Sequence, residues 1–200
     1  MDAAFWNERY GQDRYVYGEK ANDFLVESLS RMRRHGRVLC IGDGEGRNGV
    51  YLASQQFEVT SVDKSREGKR KAELLAQKHK TSLHYVVADL DSFDMGDQQW
   101  DAIVSIFCHL PKALRGRVHK ACIQGLKPGG VMVIEAYRPE QLRFNTGGPK
   151  DLDLLLSLDD AKRELEGLSF AVGREVMRNV SEGEFHDGEA AVTQVVGIKV

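Results

Sequence analysis

VLCIGDGEGRNGVYLA, Val38–Ala53, holds four glycines in two overlapping registers. Counted from Gly42 the spacing is G-x-G-x-G (Gly42, Gly44, Gly46). Counted from Gly44 it is G-x-G-x-x-G (Gly44, Gly46, Gly49), the dinucleotide pattern. The run VLCI before them is apolar without alternation and predicts a buried strand, and NGVYLASQQ after them predicts a helix. Strand, glycine turn and helix in succession let backbone N–H groups and a helix N-terminus approach a ligand.

The same rhythm recurs outward. Ala21–Arg34 is expected as a helix with Phe24, Leu25, Leu29 and Met32 on one stripe. Glu58–Val62 is the second strand, ending at Asp63, and Ser65 caps a basic helix through about Lys80. Leu83–Val87 leads to Ala88-Asp89-Leu90, and Ala102–Phe107 follows Trp100-Asp101. Leu114, Val118, Cys122 and Leu126 then recur at helical spacing. The turn Lys127–Gly130 opens a fifth strand, VMVIEAY. Unbroken apolar strands alternating with helices predict a parallel sheet covered on both faces. After Tyr137 the rhythm changes. Arg138–Asp153 reads as a loop and Leu154–Leu165 as a short helix. Ser169–Val180 and Ala190–Val200 are strand-like, and their short connection suits an antiparallel hairpin.

Composition narrows the function classes. The 200 residues carry 28 basic and 30 acidic side chains, a net charge of −2, with 42% apolar and 29% charged residues. That balance gives no bias toward nucleic acid or an anionic membrane. The apolar runs are too short to span a bilayer, and MDAAFWNERY lacks the regions of a signal peptide. Cys40, Cys108 and Cys122 form no C-x-x-C pair, and no metal-ligand spacing occurs. A cytoplasmic location, cysteines in the core and no metal are the expectations.

In an open α/β sheet, ligands bind beyond the carboxyl ends of the strands where strand order reverses. Asp63, ending the strand beside the first, can accept both hydroxyls of a ribose there. Asp89, ending the third strand, can accept an adenine amine. A dinucleotide site needs its third glycine close behind the first strand, yet from Gly42 that place is Arg47. The residues after Tyr137 are too few for a separate catalytic domain, and no Y-x-x-x-K pair exists. The G-x-G-x-G register is therefore the working one, with Gly49 a helix residue packed close to the sheet.

VLCIGDGEGRNGVYLA, VTSVDKS, VVADLDSF, WDAIVSIFCHLP and LKPGGVMVIEAY, in that order and spacing, resemble the successive motifs of class I S-adenosylmethionine-dependent methyltransferases over Arg37–Tyr137. The GEGRN variant and the N-terminal W-x-E-R-Y…Y-x-Y-G segment resemble the tellurite-resistance and thiopurine-type subfamily. The resemblance implies a doubly wound, mainly parallel seven-stranded Rossmann-like sheet with a C-terminal antiparallel hairpin. It implies one domain over residues 1–200: lid and helix in 1–35, cofactor core in 36–137, acceptor-side loop, helix and hairpin in 138–200. It further implies S-adenosylmethionine as cofactor, with Gly42, Gly44 and Gly46 along its methionine part, Asp63 on the ribose, Lys64 near the adenine and Asp89 with Leu90 at the adenine edge. Many members carry an acid two residues before the first glycine. Here that place is Cys40, and Asp43 either replaces the contact or does not.

Methyl transfer from a sulfonium is an in-line displacement needing proximity, alignment and exclusion of water. A base is needed only for an acceptor protonated at working pH. His109, after the fourth strand, is placed as base or hydrogen-bond partner, or else merely starts the turn before Pro111. Phe107 either walls the pocket or packs the core. Glu184, Phe185 and His186 resemble the family's stretch before its last strand, which makes His186 a second acceptor-side candidate. Phe5–Gly18, rich in aromatics, is either a lid or a core-packing helix, and REGKRKAELLAQKHK reads as a solvated basic face. The expected activity is methyl transfer to a small-molecule acceptor, a thiol or a chalcogen oxyanion. The alternative is a non-catalytic module that binds the same cofactor.

Overall fold

The computed structural model describes residues 2–200. Seven strands form one sheet in the order β3-β2-β1-β4-β5-β7-β6. They are β1 (Arg37–Ile41), β2 (Glu58–Asp63), β3 (His84–Val87), β4 (Trp100–Ile106), β5 (Leu126–Tyr137), β6 (Leu168–Ser181) and β7 (Asp187–Lys199). β1 to β5 pair in parallel, and β7 runs antiparallel to both β5 and β6. The mainly parallel sheet with a terminal hairpin is thus as the sequence predicts. Strand order reverses beside β1, so the glycine turn lies at the switch point.

The central strands are apolar throughout because both faces are covered. Leu39, Ile41, Ile103 and Met132 point into one layer and Val38, Cys40, Val104 and Val133 into the other. Six helices flank them: α1 (Ala3–Tyr10), α2 (Asp23–Ser28), α3 (Arg47–Ser54), α4 (Arg66–Lys78), α5 (Lys112–Gly125) and α6 (Leu158–Glu164). Ser65 caps α4 as expected, accepting from Gly68 N–H at 3.0 Å.

Three elements differ from the reading of the sequence. The helix expected over Ala21–Arg34 is only Asp23–Ser28 plus a 3₁₀ turn at Leu29–Arg31. Asn22 caps it late, accepting from Leu25 N–H, and the Ser28 hydroxyl bonds back to the Phe24 carbonyl. α6 starts at Leu158, not Leu154, because Ser157 is its cap and the buried Leu155 and Leu156 are extended. Lys127–Gly130 is a bulge inside β5: Trp100 faces Leu126 while Ala102 already faces Val131.

No helix among the described residues is long and apolar enough to cross a membrane. Cys40 and Cys122 are buried in the core, whereas Cys108 is only partly buried and lines the cleft described next.

Candidate active site

A cleft of about 890 Å³, counting the part open to solvent, lies over the carboxyl ends of β1, β2, β3 and β4. Its floor is the turn after β1, where Gly42, Gly44 and Gly46 take positive φ of 61°, 55° and 85°. A side chain at Gly44 would meet the Tyr10 hydroxyl at 2.7 Å, so the turn is bare because another ring packs on it. Asp63 is buried beside it and accepts from Gly44 N–H at 3.1 Å and Ser65 N–H at 2.9 Å. Burial pushes its carboxyl up while the two N–H donors pull the other way. Those bonds fix the carboxylate and leave its remaining lone pairs toward the cleft.

At the end of β3, Asp89 accepts from Asp91 N–H at 3.1 Å and from Lys64 Nζ at 3.0 Å. The Asp91 N–H and the Lys64 ammonium hold its carboxyl below the usual range. Ala88 and the buried Leu90 flank it. A carboxylate at each of two strand ends, an apolar edge and a bare glycine turn fit a nucleoside with an amino-acid tail. All seven residues assigned to the cofactor by resemblance, Gly42, Gly44, Gly46, Asp63, Lys64, Asp89 and Leu90, line this cleft or, for Gly46, shape its turn.

Asp43 does not replace the missing acid. Its Oδ2 accepts from the Ser61 hydroxyl at 2.6 Å and its Oδ1 from Gly49 N–H at 3.3 Å, behind the turn. A Cβ at Gly49 would run into the Asp43 carboxylate and the Ser61 hydroxyl, so Gly49 is a space for this carboxylate as well as a point of close packing. Burial raises the Asp43 carboxyl to about 7, against the pull of Ser61 and Gly49. Between about pH 4 and 7 the folded protein then holds a proton the unfolded chain has released. Its stability falls with rising pH in that window and levels above it. His109 acts in the opposite sense: burial lowers it to about 4, so stability rises from about pH 4 to its unfolded value near 6.5. Asp43→Asn removes the first slope alone. Urea unfolding is expected to show D43N gaining about 2–4 kcal/mol on the wild type between pH 4 and 7; a constant difference would refute the buried proton.

The other half of the cleft is aromatic. Phe107 ends β4 with φ +51°, a conformation bulky residues rarely hold. Its ring lies 4.6 Å from Tyr137 and 4.6 Å from His186. Tyr137 stacks on His109 at 5.6 Å, and Tyr17 lies 4.7 Å from His186. Both sequence-predicted histidines therefore meet in one wall, although 77 residues separate them. His109 Nδ1 faces the Leu154 carbonyl at 3.4 Å, which only accepts. The proton sits on Nδ1, and the buried Nε2 is a lone pair without a partner. The Tyr137 hydroxyl and His186 Nδ1 are also buried and unpartnered. Burial holds both imidazoles neutral and raises the Tyr137 hydroxyl.

His186 is held by ion pairs beneath the wall. Glu182 accepts from Arg47 at 2.5 Å, Asn22 at 2.9 Å and Arg178 at 2.9 Å, and Arg178 also binds Glu135 at 2.6 Å. The sequence reading missed Tyr137, Glu182 and Arg178. Tyr137 had a signal, since it ends β5 next to the β4 end that carries Phe107. The ion pairs join residues up to 160 apart, and no local pattern marks them.

The fold and this cleft define a class I methyltransferase domain, and that class implies S-adenosylmethionine as its cofactor. Residues 38–130 match the family model described as a methyltransferase domain. An uncharacterized methyltransferase of Bacillus subtilis (strain 168), YbaJ, is 25% identical over 111 residues, 55% of this chain and 44% of that one. The matched stretch thus spans less than half of that relative. TehB from Haemophilus influenzae is similar in structure, with a TM-score of 0.75 and 17% identity over 99% of this chain and 67% of its own. A chain solved in connection with the conversion of a disulfide bond into a thioacetal group during echinomycin biosynthesis gives a TM-score of 0.77 and 17% identity, over 99% and 89%. At such identities the two structures speak to the fold.

Proposed function

We propose that the protein is a cytoplasmic methyltransferase moving a methyl group from S-adenosylmethionine to a small-molecule acceptor. The observation that carries this reading is the meeting of two unlike halves in one cleft: a carboxylate-and-glycine half at β1, β2 and β3, and a neutral aromatic half at β4, β5 and the β6–β7 turn. When bound, the cofactor supplies a methyl group already activated on a sulfonium. Gly42, Gly44 and Gly46 line its amino-acid end, Asp63 holds the ribose, and Asp89 with Leu90 and Lys64 receive the adenine. The chain's remaining work is alignment and exclusion of water.

Phe107, Tyr137 and His186 then face the acceptor, and His109 Nε2 accepts a hydrogen bond from it. With its imidazole neutral and weakly basic, His109 suits an acceptor that sheds its own proton readily, as a thiol does, and not a protonated amine. The two ammonium and guanidinium groups lining the cleft, Lys64 and Arg47, are already paired with Asp89 and Glu182. That pairing favours a thiol over a chalcogen oxyanion, which would want a free cation.

The test is formation of S-adenosylhomocysteine with a panel of aliphatic and aromatic thiols, selenite and tellurite. Turnover with a thiol supports the reading; turnover with oxyanions alone overturns the choice of acceptor. Saturable cofactor binding without turnover on any acceptor points to a binding module. Asp63→Ala is expected to weaken binding of S-adenosylhomocysteine by about 1–3 kcal/mol, read by calorimetry; unchanged affinity removes Asp63 from the site.

A further inference from the structure

Glu45 stands between two of the floor glycines, yet its carboxylate turns away from the cleft. It is 3% exposed and accepts from Val16 N–H at 3.3 Å, Tyr17 N–H at 3.2 Å and Lys71 Nζ at 2.7 Å. Lys71 belongs to the helix expected as a solvated basic face, but it is 2% exposed. It also donates to the Arg14 carbonyl, lies 5.2 Å from the Tyr15 ring, and its own carbonyl accepts from the Tyr15 hydroxyl at 2.9 Å. One buried ion pair therefore gathers four consecutive residues, Arg14 to Tyr17, onto the turn after β1.

We propose that Glu45 is a positioning residue that couples occupation of the glycine turn to closure of the N-terminal segment over the acceptor wall, with Lys71 as its buried counter-charge. The proposal rests on the cofactor reading of the turn and goes beyond it. The geometry gives a continuous path. A ligand seated on Gly44 and Gly46 fixes the peptide planes on either side of Glu45, and so the direction of its carboxylate. That carboxylate sets the backbone of Val16 and Tyr17. The Tyr17 ring packs on His186, and its hydroxyl accepts from Arg9 at 2.9 Å. Farther up the same segment, the Tyr10 hydroxyl lies over Gly44.

The chemistry of the contact suits opening and closing. A carboxylate and an ammonium regain water when the segment lifts, whereas an apolar seam would expose itself. Removing one partner of a closed pair leaves the other charge buried and alone, which is costly. The closed state thus needs both charges, and the open state tolerates them. Coupling of this kind is reciprocal: whatever closure gains from the ligand, the ligand gains from closure.

The experiment is hydrogen–deuterium exchange on the full chain with and without saturating S-adenosylhomocysteine, read at the Val16 and Tyr17 amides and at Leu39 and Val104 as sheet references. In the wild type the ligand is expected to slow exchange at Val16 and Tyr17 at least tenfold. In Glu45→Gln that ligand-dependent slowing is expected to fall below about threefold and the dissociation constant to rise roughly five- to thirtyfold, with the sheet references unchanged. Lys71→Gln asks the same question from the other partner if E45Q does not fold. Ligand binding to the wild type without change at Val16 and Tyr17 overturns the inference and leaves the cofactor reading standing, as does full slowing in a folded variant. No binding to the wild type overturns both.

Discussion

Glu182→Ala is expected to lose about 3–5 kcal/mol of folding stability, the usual result of removing one partner from a buried ion pair. Glu182 and Arg47 have side chains 5% and 7% exposed, so solvent does not screen them. Arg178 keeps Glu135 as a partner in the variant. Arg47 keeps only the Lys20 carbonyl at 3.2 Å, and its charge is left uncompensated in the core. For a chain of this length the loss corresponds to roughly 10 °C in melting temperature. Glu182→Gln, which retains two acceptor positions in part, should lose less. Thermal and urea unfolding of the two variants, compared with wild type, decide the matter. A loss below about 1 kcal/mol in E182A would show that the pair is not a structural anchor for the β6–β7 turn.

Gly46→Ala is the second large effect, for a different reason. The new Cβ would lie 2.9 Å from Ala72 Cα, a backbone atom of α4, and closer still to its Cβ. Neither atom can rotate away. In addition, φ +85° asks alanine for the left-handed region, at about 1–2 kcal/mol. Overpacking adds about 1–3 kcal/mol, so unfolding should show a total near 2–5 kcal/mol. The double change Gly46→Ala with Ala72→Gly should recover the packing part alone, because the backbone strain remains. Full recovery would mean that the conformation of the turn costs nothing; no recovery would mean that α4 is not the obstacle.

These two residues also mark what the sequence could and could not tell. Gly46 was legible: a glycine at fixed spacing after an apolar strand needs a reason, and the turn gave one. The parallel sheet was legible from unbroken apolar strands, and the hairpin from its short connection. Asp63 and Asp89 were legible because strand ends at a switch point are few. Glu182 was not, since it is an ordinary acid in an ordinary turn until Arg47 and Arg178 arrive from elsewhere in the fold. Lys71 was misread for the same reason. A lysine in a basic helix is solvated by default, and only the buried Glu45 makes it otherwise. Helix ends at Asp23 and Leu158 were missed because the capping side chains, Asn22 and Ser157, lie inside longer stretches of acceptable helical pattern.

The reversed direction of β7 has a consequence for how this site can be altered. Because β6 runs parallel to β5, it ends on the ligand side, and the turn at Glu182–His186 hangs over the cleft. The wall that meets the acceptor is thus carried on a connection whose length the sheet does not dictate, while the cofactor half is built into strand ends that cannot shift without breaking register. Residues 183–186 can be exchanged or lengthened like a removable jaw, provided Glu182 stays as its bolt. Acceptor choice and cofactor choice are, in this architecture, separately evolvable.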